Sequence, residues 1–262
     1  MKCMSMIKAL DELPNELLSL KNPPSKLYYR GNLALLKKPK VAIIGSRKMS
    51  VYTKECVLEL ASLLSKLGVC VVSGGAIGVD INAHLGAMPC TIGVFANSLD
   101  LIYPQSNAPI IKQIYEKGLA LSEKEKNYSP KRYDFLLRNR LIIALCEHII
   151  IAEADLKSGS FASANLALDL GKKLFVLPQR KDESKGTNFL LSQNKARLIY
   201  DFNDYASHFG TLIQKEQDDA FLSFCKQGVS LEEALARFGS KVYEYELEGK
   251  IDIQGVFIKV LE

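Results

Sequence analysis

The 262-residue chain lacks the features of a membrane or secreted protein. No window approaches the roughly eighteen uninterrupted apolar residues of a membrane helix. Even the most apolar stretch, LIIALCEHIIIAEA, contains Glu147 and His148. The first residues include Lys8, Asp11 and Glu12, where a signal peptide has an unbroken apolar core. We therefore expect a cytoplasmic protein without a membrane segment.

Metal and cofactor motifs are also missing. The chain has only three histidines, and its six cysteines lie at least fourteen residues apart, so no C-x-x-C spacing exists. No G-x-G-x-x-G fingerprint follows the first predicted strand, and no P-loop occurs anywhere. We therefore predict no metal and no cofactor, and we expect the cysteines to be small core residues.

Charge is unevenly distributed along the chain. The net charge is +5, but residues 211–262 hold six Lys and Arg against ten Asp and Glu, a net charge of −4. Residues 1–210 hold 28 against 19, a net charge of +9. A basic body favours a polyanionic partner, although a solvated charged surface is also compatible with this balance.

Short apolar strands alternate with helical segments over roughly 160 residues, beginning with VAIIG at 41–45. The apolar spacing predicts helices over 108–117, 134–145 and 160–171, each followed by another apolar run. Near-continuous apolar strands are typical of a parallel sheet covered by helices on both faces. The pattern predicts a doubly wound α/β fold with a mostly parallel sheet.

Breaks in this pattern divide the chain into four parts. Residues 1–40, interrupted by four prolines, are expected to be a short lead-in, and 41–204 the sheet domain. The polar segment 205–217 is predicted to be a linker. Three short helical segments and two strand-like runs follow in 218–262, which is the order of a winged helix.

The C-terminal segment is too acidic for an ordinary DNA reader. The stretch in the recognition-helix position, SKVYEYELEGK, has three glutamates against two lysines. Phosphates repel such a helix. We therefore expect this domain to contact protein through Val242, Tyr243 and Leu247, and not DNA.

Three loops that follow predicted strands supply small residues, hydroxyl groups and bare amides. They are Gly45 to Arg47, Ser73 to Gly78 and Lys157 to Ser160. Ligands of open parallel sheets bind outside the carboxyl ends of the strands, where such groups suit phosphate oxygens. Each glycine alone fits a simple turn, but three such loops at one edge indicate an anion site. The guanidinium of Arg47 can hold a phosphate bidentately.

The stretch SPKRYDFLLRNRLIIAL combines cations with aromatic side chains. The cations are Lys131, Arg132, Arg138 and Arg140, and the aromatics are Tyr133 and Phe135. Cations that neutralise phosphates beside a ring on which a base can stack are typical of single-strand sites. The alternative is that Phe135 belongs to the core and that the arginines form a solvated helix face.

Asp80 and His84 are four residues apart on the same predicted helix, and therefore within reach of one another. They could form an acid/base pair. We favour a buried structural hydrogen bond, because no nucleophile or second carboxylate accompanies them.

Six motifs in this order resemble the DprA/Smf family of DNA processing proteins: GSRKMS, SGGAIGVDINAH, the loop ending in IYP, LSE, FLLRNR and SGSFASANLA. The resemblance spans about residues 25–200. It implies an extended Rossmann-type domain that binds single-stranded DNA, dimerises and helps to load a RecA-type recombinase during natural transformation, without catalysis. The implied DNA-contacting residues are Ser46, Arg47, Ser73, Gly74, Gly75, Ala76, Asn97, Ser98, Lys131, Arg132, Phe135, Arg138, Arg140, Ser158, Gly159 and Ser160.

The chain departs from the usual family pattern at Thr53, Asn97, Gln179 and Lys195, where glycine is common. Two other functions remain open. Nucleotide phosphoribohydrolases have a similar topology, but their turn P-G-G-x-G-T-x-x-E lacks its Thr and Glu here, and glycosidic hydrolysis needs that carboxylate. A passive nucleotide sensor is the second alternative, and it differs in binding a mononucleotide but no oligonucleotide.

Overall fold

The computed structural model describes residues 6–210 and 220–261. Contacts divide the chain into two compact units, with the boundary between residues 212 and 213. Among the described helices, none has both the length and the apolar character that crossing a membrane demands.

The first unit contains the strands β1 (Lys8–Ala9), β2 (Tyr28–Gly31), β3 (Lys40–Ile44), β4 (Cys70–Ser73), β5 (Thr91–Phe95), β6 (Leu119–Ser122), β7 (His148–Ile151), β8 (Lys173–Val176) and β9 (Arg197–Leu198). Its helices are α1 (Asn15–Leu18), α2 (Val51–Lys66), α3 (Val79–Ala87), α4 (Ala108–Lys117), α5 (Asp134–Leu145), α6 (Gly159–Asp169), α7 (Lys185–Ser192) and α8 (Phe202–Ser207). Short 3₁₀ turns lie at Leu33–Lys37 and Gln105–Asn107.

These strands form one sheet in the order β1-β2-β6-β5-β4-β3-β7-β8-β9. The run from β6 to β9 is parallel, and β1 and β2 add an antiparallel edge. The chain builds outward from β3 through β4 to β6 and then returns to place β7 on the other side of β3. The predicted doubly wound, mostly parallel α/β fold is therefore confirmed, with its switch point between β3 and β7.

Strand β3 shows how the sheet is covered on both faces. Val41 and Ile43 belong to a core cluster with Leu60 of α2, whereas Ala42 and Ile44 belong to another with Leu141 of α5. Successive side chains of a strand point to opposite faces of the sheet. A strand that is apolar throughout must therefore be covered by helices on both faces. Both clusters are buried, which fixes the register of the central strands.

Two expectations about segment boundaries are corrected. The expected lead-in contributes β1 and β2, because the extended residues 28–31 pair with β6 at the sheet edge. The linker was expected from 205, but Tyr205 is 4% exposed and its ring centroid lies 5.0 Å from that of Phe175. Its burial stabilises α8 against the sheet. The rest of the predicted linker, 211–217, lies outside the described residues.

The second unit contains α9 (Ala220–Cys225), α10 (Leu231–Phe238) and α11 (Lys241–Leu247), followed by the antiparallel hairpin of β10 (Ile251–Gln254) and β11 (Phe257–Val260). This element order is the one expected, and the winged-helix assignment stays a prediction. Val242, expected at a contact surface, is instead fully buried in a core with Phe221 and Ile251. Tyr243 and Leu247 are exposed, Leu247 to 89%.

Candidate nucleic-acid interface

A cavity of about 900 Å³ opens at the carboxyl ends of the strands around the switch point. It is lined by the loops after β3 and β7, the start of α3 and the start of α5. The predicted site residues that line it are Ser46, Arg47, Ala76, Lys131, Arg132, Phe135, Arg138, Ser158, Gly159 and Ser160. The topology thus brings together four segments that are far apart in the sequence.

Arg47 and Phe135 form the exposed wall of the cavity. The Arg47 guanidinium lies 5.3 Å from the centroid of the Phe135 ring, within the range of a cation–π interaction. Phe135 is half-buried, and its other neighbour is the ring of Tyr103, with 5.8 Å between centroids. The arginine thus lies over the ring, and the Phe135 side chain stays partly exposed at the cavity.

The loop of Ser46 and Arg47 packs tightly against the glycine-rich loop. The backbone N–H of Val79 donates to the Ser46 carbonyl at 3.1 Å. Gly78 has a φ of +86°, and a Cβ there would overlap the Ser46 carbonyl. Glycine is therefore required by both the dihedral angle and the close approach.

A buried charge pair lies beneath this wall. Arg138 and Asp80 are 5% and 6% exposed, and a Cβ on Gly74 would overlap both the guanidinium and the carboxylate. Burial lowers the pKa of Arg138 to about 10, although Asp80 opposes the shift. Burial raises the pKa of Asp80 despite the charge of Arg138. Arg138 also donates to the carbonyl of Val94. The absence of a side chain at Gly74 thus leaves room for the Arg138 and Asp80 side chains.

A chain of hydrogen bonds ties α5 to α6 across the cavity. Arg138 Nε donates to Asn139 Oδ1 at 3.1 Å, and Asn139 Nδ2 donates to Ser163 Oγ at 2.8 Å. The Ser163 hydroxyl then donates to the Gly159 carbonyl at 3.0 Å. Asn139 and Ser163 were not among the site residues predicted from the sequence. The position of Asn139 between the two arginines of RNR is a signal that could have identified this residue.

The N-terminus of α6 faces the cavity. Ser158 caps the helix by accepting from the Phe161 N–H at 3.1 Å and donates to the Asp155 carbonyl at 2.6 Å. Ser160 is 8% exposed, and its hydroxyl has no hydrogen-bond partner within the described part of the chain. Exposed Lys157, which belongs to a predicted anion-binding loop but not to the DNA contacts that the resemblance implied, also lines the cavity. Free amides, a positive helix end and a cation favour an anion here.

Asp134 anchors the segment that carries Lys131. This carboxylate is 1% exposed and accepts hydrogen bonds from Lys124 Nζ at 2.9 Å, the Tyr128 hydroxyl at 2.8 Å and the Lys131 backbone N–H at 2.7 Å. Burial works to raise the pKa of Asp134, but these hydrogen bonds outweigh it and lower the pKa. The anchored segment leaves the side chains of Lys131 and Arg132 exposed at the cavity.

The structure places Asn97 and Ser98 behind the cavity and not in it. They are 2% and 1% exposed. Asn97 Nδ2 donates to the Leu101 carbonyl at 2.8 Å, and Ser98 Oγ accepts from the Tyr128 N–H at 3.0 Å. The two side chains are therefore not at the surface of the cavity, and their contact with DNA stays a prediction. Both hold loops in place, because polar side chains this deeply buried need internal partners.

The remaining predicted residues also lie outside the cavity lining. Ser73 is fully buried and donates to the Ile43 carbonyl at 2.6 Å. Gly74 and Gly75 are buried, and a Cβ on Gly75 would lie 2.7 Å from the Phe95 ring. Arg140 forms an ion pair with Glu123. Ser73, Gly74 and Gly75 therefore support the loop that follows β4, whereas Arg140 lies on α5 and is engaged by Glu123.

His84 does not form the expected hydrogen bond with Asp80, and both of its ring nitrogens contact other residues. His84 Nε2 lies 2.8 Å from the Gly74 carbonyl, and Nδ1 lies 2.7 Å from Thr91 Oγ1. Burial lowers the pKa of His84 to about 4, so the ring is neutral at pH 7. Since a carbonyl only accepts, Nε2 carries the proton that is donated to Gly74. Nδ1 contacts the Thr91 hydroxyl, which also lies 2.9 Å from the Val71 carbonyl. His84 is therefore a structural residue with both ring nitrogens engaged.

Two positions that depart from the family pattern are bonded to each other. Gln179 Nε2 donates to Thr53 Oγ1 at 2.9 Å and to the Ala152 carbonyl at 2.9 Å. Thr53 is fully buried in the first turn of α2, where its N–H donates to the Ser50 side chain at 3.0 Å. The two substitutions therefore act as a pair that joins α2 to the end of β7.

The charges of the cavity favour a polyanion. Its lining contains the cations Arg47, Lys131, Arg132, Arg138 and Lys157 against the carboxylates Asp80 and Asp155. Of the two carboxylates, Asp80 is buried beside Arg138. Cations, helix-end amides and a partly exposed aromatic ring can together bind phosphates and stack on a base.

The chain matches one family and several characterised relatives. The model of the family described as DNA recombination-mediator protein A matches residues 5–210. DNA processing protein DprA of Streptococcus pneumoniae is 35% identical over 204 residues, covering 76% of this chain and 72% of that protein. Protein Smf of Borreliella burgdorferi is 38% identical over 167 residues, covering 62% of this chain and 53% of that protein.

Two solved structures share the fold at substantial sequence identity. DNA processing protein A from Helicobacter pylori, described with a unique single-stranded DNA binding mode, has a TM-score of 0.77 and 47% identity, and the match covers 79% of this chain and 97% of that one. DprA from Streptococcus pneumoniae has a TM-score of 0.72 and 31% identity, covering 80% and 76%. The resemblance seen in the motifs is confirmed, and the chain belongs to the DNA recombination-mediator protein A family, whose members include DprA and Smf.

Proposed function

We propose that this protein binds single-stranded DNA in the cavity at the carboxyl ends of β3, β4 and β7. The observation that carries the proposal is the cavity itself, in which four separate segments place cations, a helix N-terminus and the Arg47–Phe135 stack side by side. The Helicobacter pylori relative, which binds single-stranded DNA, shares 47% of its residues with this chain and supports the assignment.

The lining residues divide into two roles. Arg47, Lys131, Arg132 and the N-terminus of α6 contact phosphates, which carry no base information. Phe135 stacks on a base, which is tolerant of sequence because every base has a π-face. Binding in this way is insensitive to sequence and sensitive to salt.

The test is binding of the full chain to matched single- and double-stranded oligonucleotides at several salt concentrations. We expect single strands to bind more tightly, because a duplex cannot present an unstacked base to Phe135. Binding of a nucleoside monophosphate with no binding of the oligonucleotides would instead support a nucleotide sensor. Release of free base from that nucleotide would support a hydrolase.

Arg47→Ala tests the phosphate contact. We expect weaker binding to all single-stranded sequences, and a slope of log affinity against log salt that is smaller by about 0.7 for the one lost phosphate contact. Arg180→Ala is the matched control, because Arg180 is exposed and lies outside the cavity lining. An Arg47→Ala variant with the affinity and slope of the original protein would remove Arg47 from the site.

We further propose that the protein is a cytoplasmic homodimer that delivers the bound strand to a RecA-type recombinase without catalysing a reaction. The family description as a recombination mediator supports this role. Light scattering on the purified protein tests the dimer. Strand exchange by a recombinase on DNA coated with single-strand-binding protein tests the delivery, and no acceleration over the recombinase alone would count against it.

A further inference from the structure

Two cysteines that are twenty residues apart in the sequence meet at the amino-terminal edge of the sheet. Cys70 begins β4 and Cys90 directly precedes β5, and these parallel neighbours pair Val71 with Thr91. The sulfur atoms are 3.2 Å apart, so one thiol donates to the other. Neither cysteine lines the cavity at the opposite edge, so the pair has no part in the proposed DNA site.

The surroundings of Cys90 favour a thiolate. Lys38 Nζ lies 3.7 Å from Cys90 Sγ. The hydrogen bond from Cys70 lowers the pKa of Cys90 to about 6, with the Lys38 charge adding to the effect and burial opposing it. The same hydrogen bond, together with burial, raises the pKa of Cys70. The thiolate is the reactive form of cysteine, and here it lies next to a second thiol.

Cys56 and Cys146 provide internal comparisons. Cys56 is 8% exposed, more than the 5% of Cys90, and Cys146 is 1% exposed. Burial raises the pKa of both Cys56 and Cys146. Reactivity that followed exposure alone would therefore begin at Cys56, whereas reactivity that follows thiolate character begins at Cys90.

We propose that Cys70 and Cys90 are an oxidation site at which a hydroperoxide converts the two thiols into a disulfide. The Cys90 thiolate attacks one oxygen of hydrogen peroxide, the O–O bond breaks, and the departing hydroxide takes a proton to become water. Cys90 is then a sulfenic acid. The Cys70 sulfur attacks the Cys90 sulfur, an S–S bond forms and the S–O bond breaks. The hydroxide leaves with the Cys70 proton as a second water.

The backbone allows this bond. Adjacent strands lie about 4.8 Å apart, which is within the Cα separations that disulfides span. The two sulfur atoms must approach each other by only about 1 Å to reach bonding distance. Cys90 lies just outside β5, so its side chain can adjust without breaking the pairing of β5.

The test uses the full chain, reduced and then exposed to hydrogen peroxide. Remaining thiols are alkylated with one isotopic form of N-ethylmaleimide, disulfides are reduced, and the new thiols receive the other form before peptide mass analysis. We expect Cys70 and Cys90 to acquire the second label together, about tenfold faster than Cys56. Oxidation of Cys56 before Cys90, or accumulation of Cys90 sulfinic acid without a disulfide, would overturn the proposal.

Two variants and one control variant separate the steps. Cys70→Ser removes the resolving thiol, so Cys90 should accumulate as a sulfenic acid that dimedone captures. Lys38→Met should slow Cys90 oxidation several-fold, whereas Lys37→Met, at the neighbouring exposed lysine, should leave the rate unchanged. Equal rates in the two lysine variants would contradict the role of Lys38. Single-stranded DNA affinity reports on folding and is expected to be unchanged in all three variants.

Discussion

The sheet unit and the C-terminal unit both bury an apolar core, but they present opposite charges. The cavity of the sheet unit is lined by five cations and two carboxylates. In the C-terminal unit, α11 exposes Glu244 and Glu246 beside Leu247. The apolar core makes each unit fold, whereas the charges of the exposed side chains decide which of the two units can bind a polyanion.

The two units also hold their polar residues differently. In the sheet unit, site residues rest on buried polar groups such as Arg138 and Asp134, which are 5% and 1% exposed. In the C-terminal unit, the capping box of Ser230 and Glu233 lies at the surface. Substitutions in the first unit should therefore be more disruptive, and four predictions test this difference.

Arg138→Met should have the largest effect, lowering the free energy of unfolding by about 3 kcal/mol at pH 7, because Asp80 stays buried without its counter-charge. Burial already raises the pKa of Asp80, and the substitution raises it further. The carboxyl group is then protonated more readily in the folded than in the unfolded state, so the deficit shrinks as the pH falls towards 5. Urea unfolding followed by circular dichroism at both pH values measures this.

The control is Arg237→Met in α10 of the C-terminal unit. Arg237 is exposed and lies 4.8 Å from the Phe224 ring centroid, so the expected loss is under about 1 kcal/mol. Equal losses in the two variants would contradict the idea that the units hold their charges differently.

Phe135→Ala should weaken single-stranded DNA binding by about 1–3 kcal/mol, with an unchanged salt slope because no charge is removed. The control is Phe257→Ala in the C-terminal hairpin, where the side chain is 59% exposed and no effect on affinity is expected. Affinity and melting temperature are measured on the same samples. A large fall in melting temperature with retained affinity would assign Phe135 to the core.

Ser230→Ala should reduce the free energy of unfolding of the C-terminal unit by about 1 kcal/mol, through loss of the cap on α10. Its hydroxyl accepts from the Glu233 N–H at 3.2 Å. DNA affinity should not change. Thermal melting measures the stability, and a loss of DNA affinity in the folded variant would place α10 at the DNA.

A chain ending at Gln214 should keep most of its affinity for single-stranded DNA. Because α11 repels phosphates, removal of the C-terminal unit is expected to change single-strand affinity by less than tenfold, or about 1.4 kcal/mol. We expect assembly that depends on Tyr243 and Leu247 to be lost. A larger fall in affinity, at an unchanged oligomeric state, would show that the acidic unit contacts DNA.

The sequence predicted the central elements closely and the edges poorly. The expected helices over 108–117 and 134–145 match α4 and α5. The strand β2 was missed, because its residues are only half-buried and the pairing that makes them a strand comes from β6, about ninety residues later in the chain. Edge strands carry a weak local signal for this reason.

The candidate site divides in the same way. The motifs identified the segments of Arg47, Phe135 and Ser158 that line the cavity. They also selected Asn97 and Ser98, which are buried. A motif shows that a residue belongs to a site region, but the turn of the backbone decides whether its side chain faces the ligand or the interior.

The sequence by itself determined the alternation of strands and helices, the basic character of residues 1–210 and the family, because these depend on local pattern and composition. Only the tertiary structure decided which residues meet. It placed Gly74 beneath Arg138, joined Gln179 to Thr53 and brought Cys70 against Cys90. Contacts between residues far apart in the chain follow from the order of the strands, which no local pattern specifies.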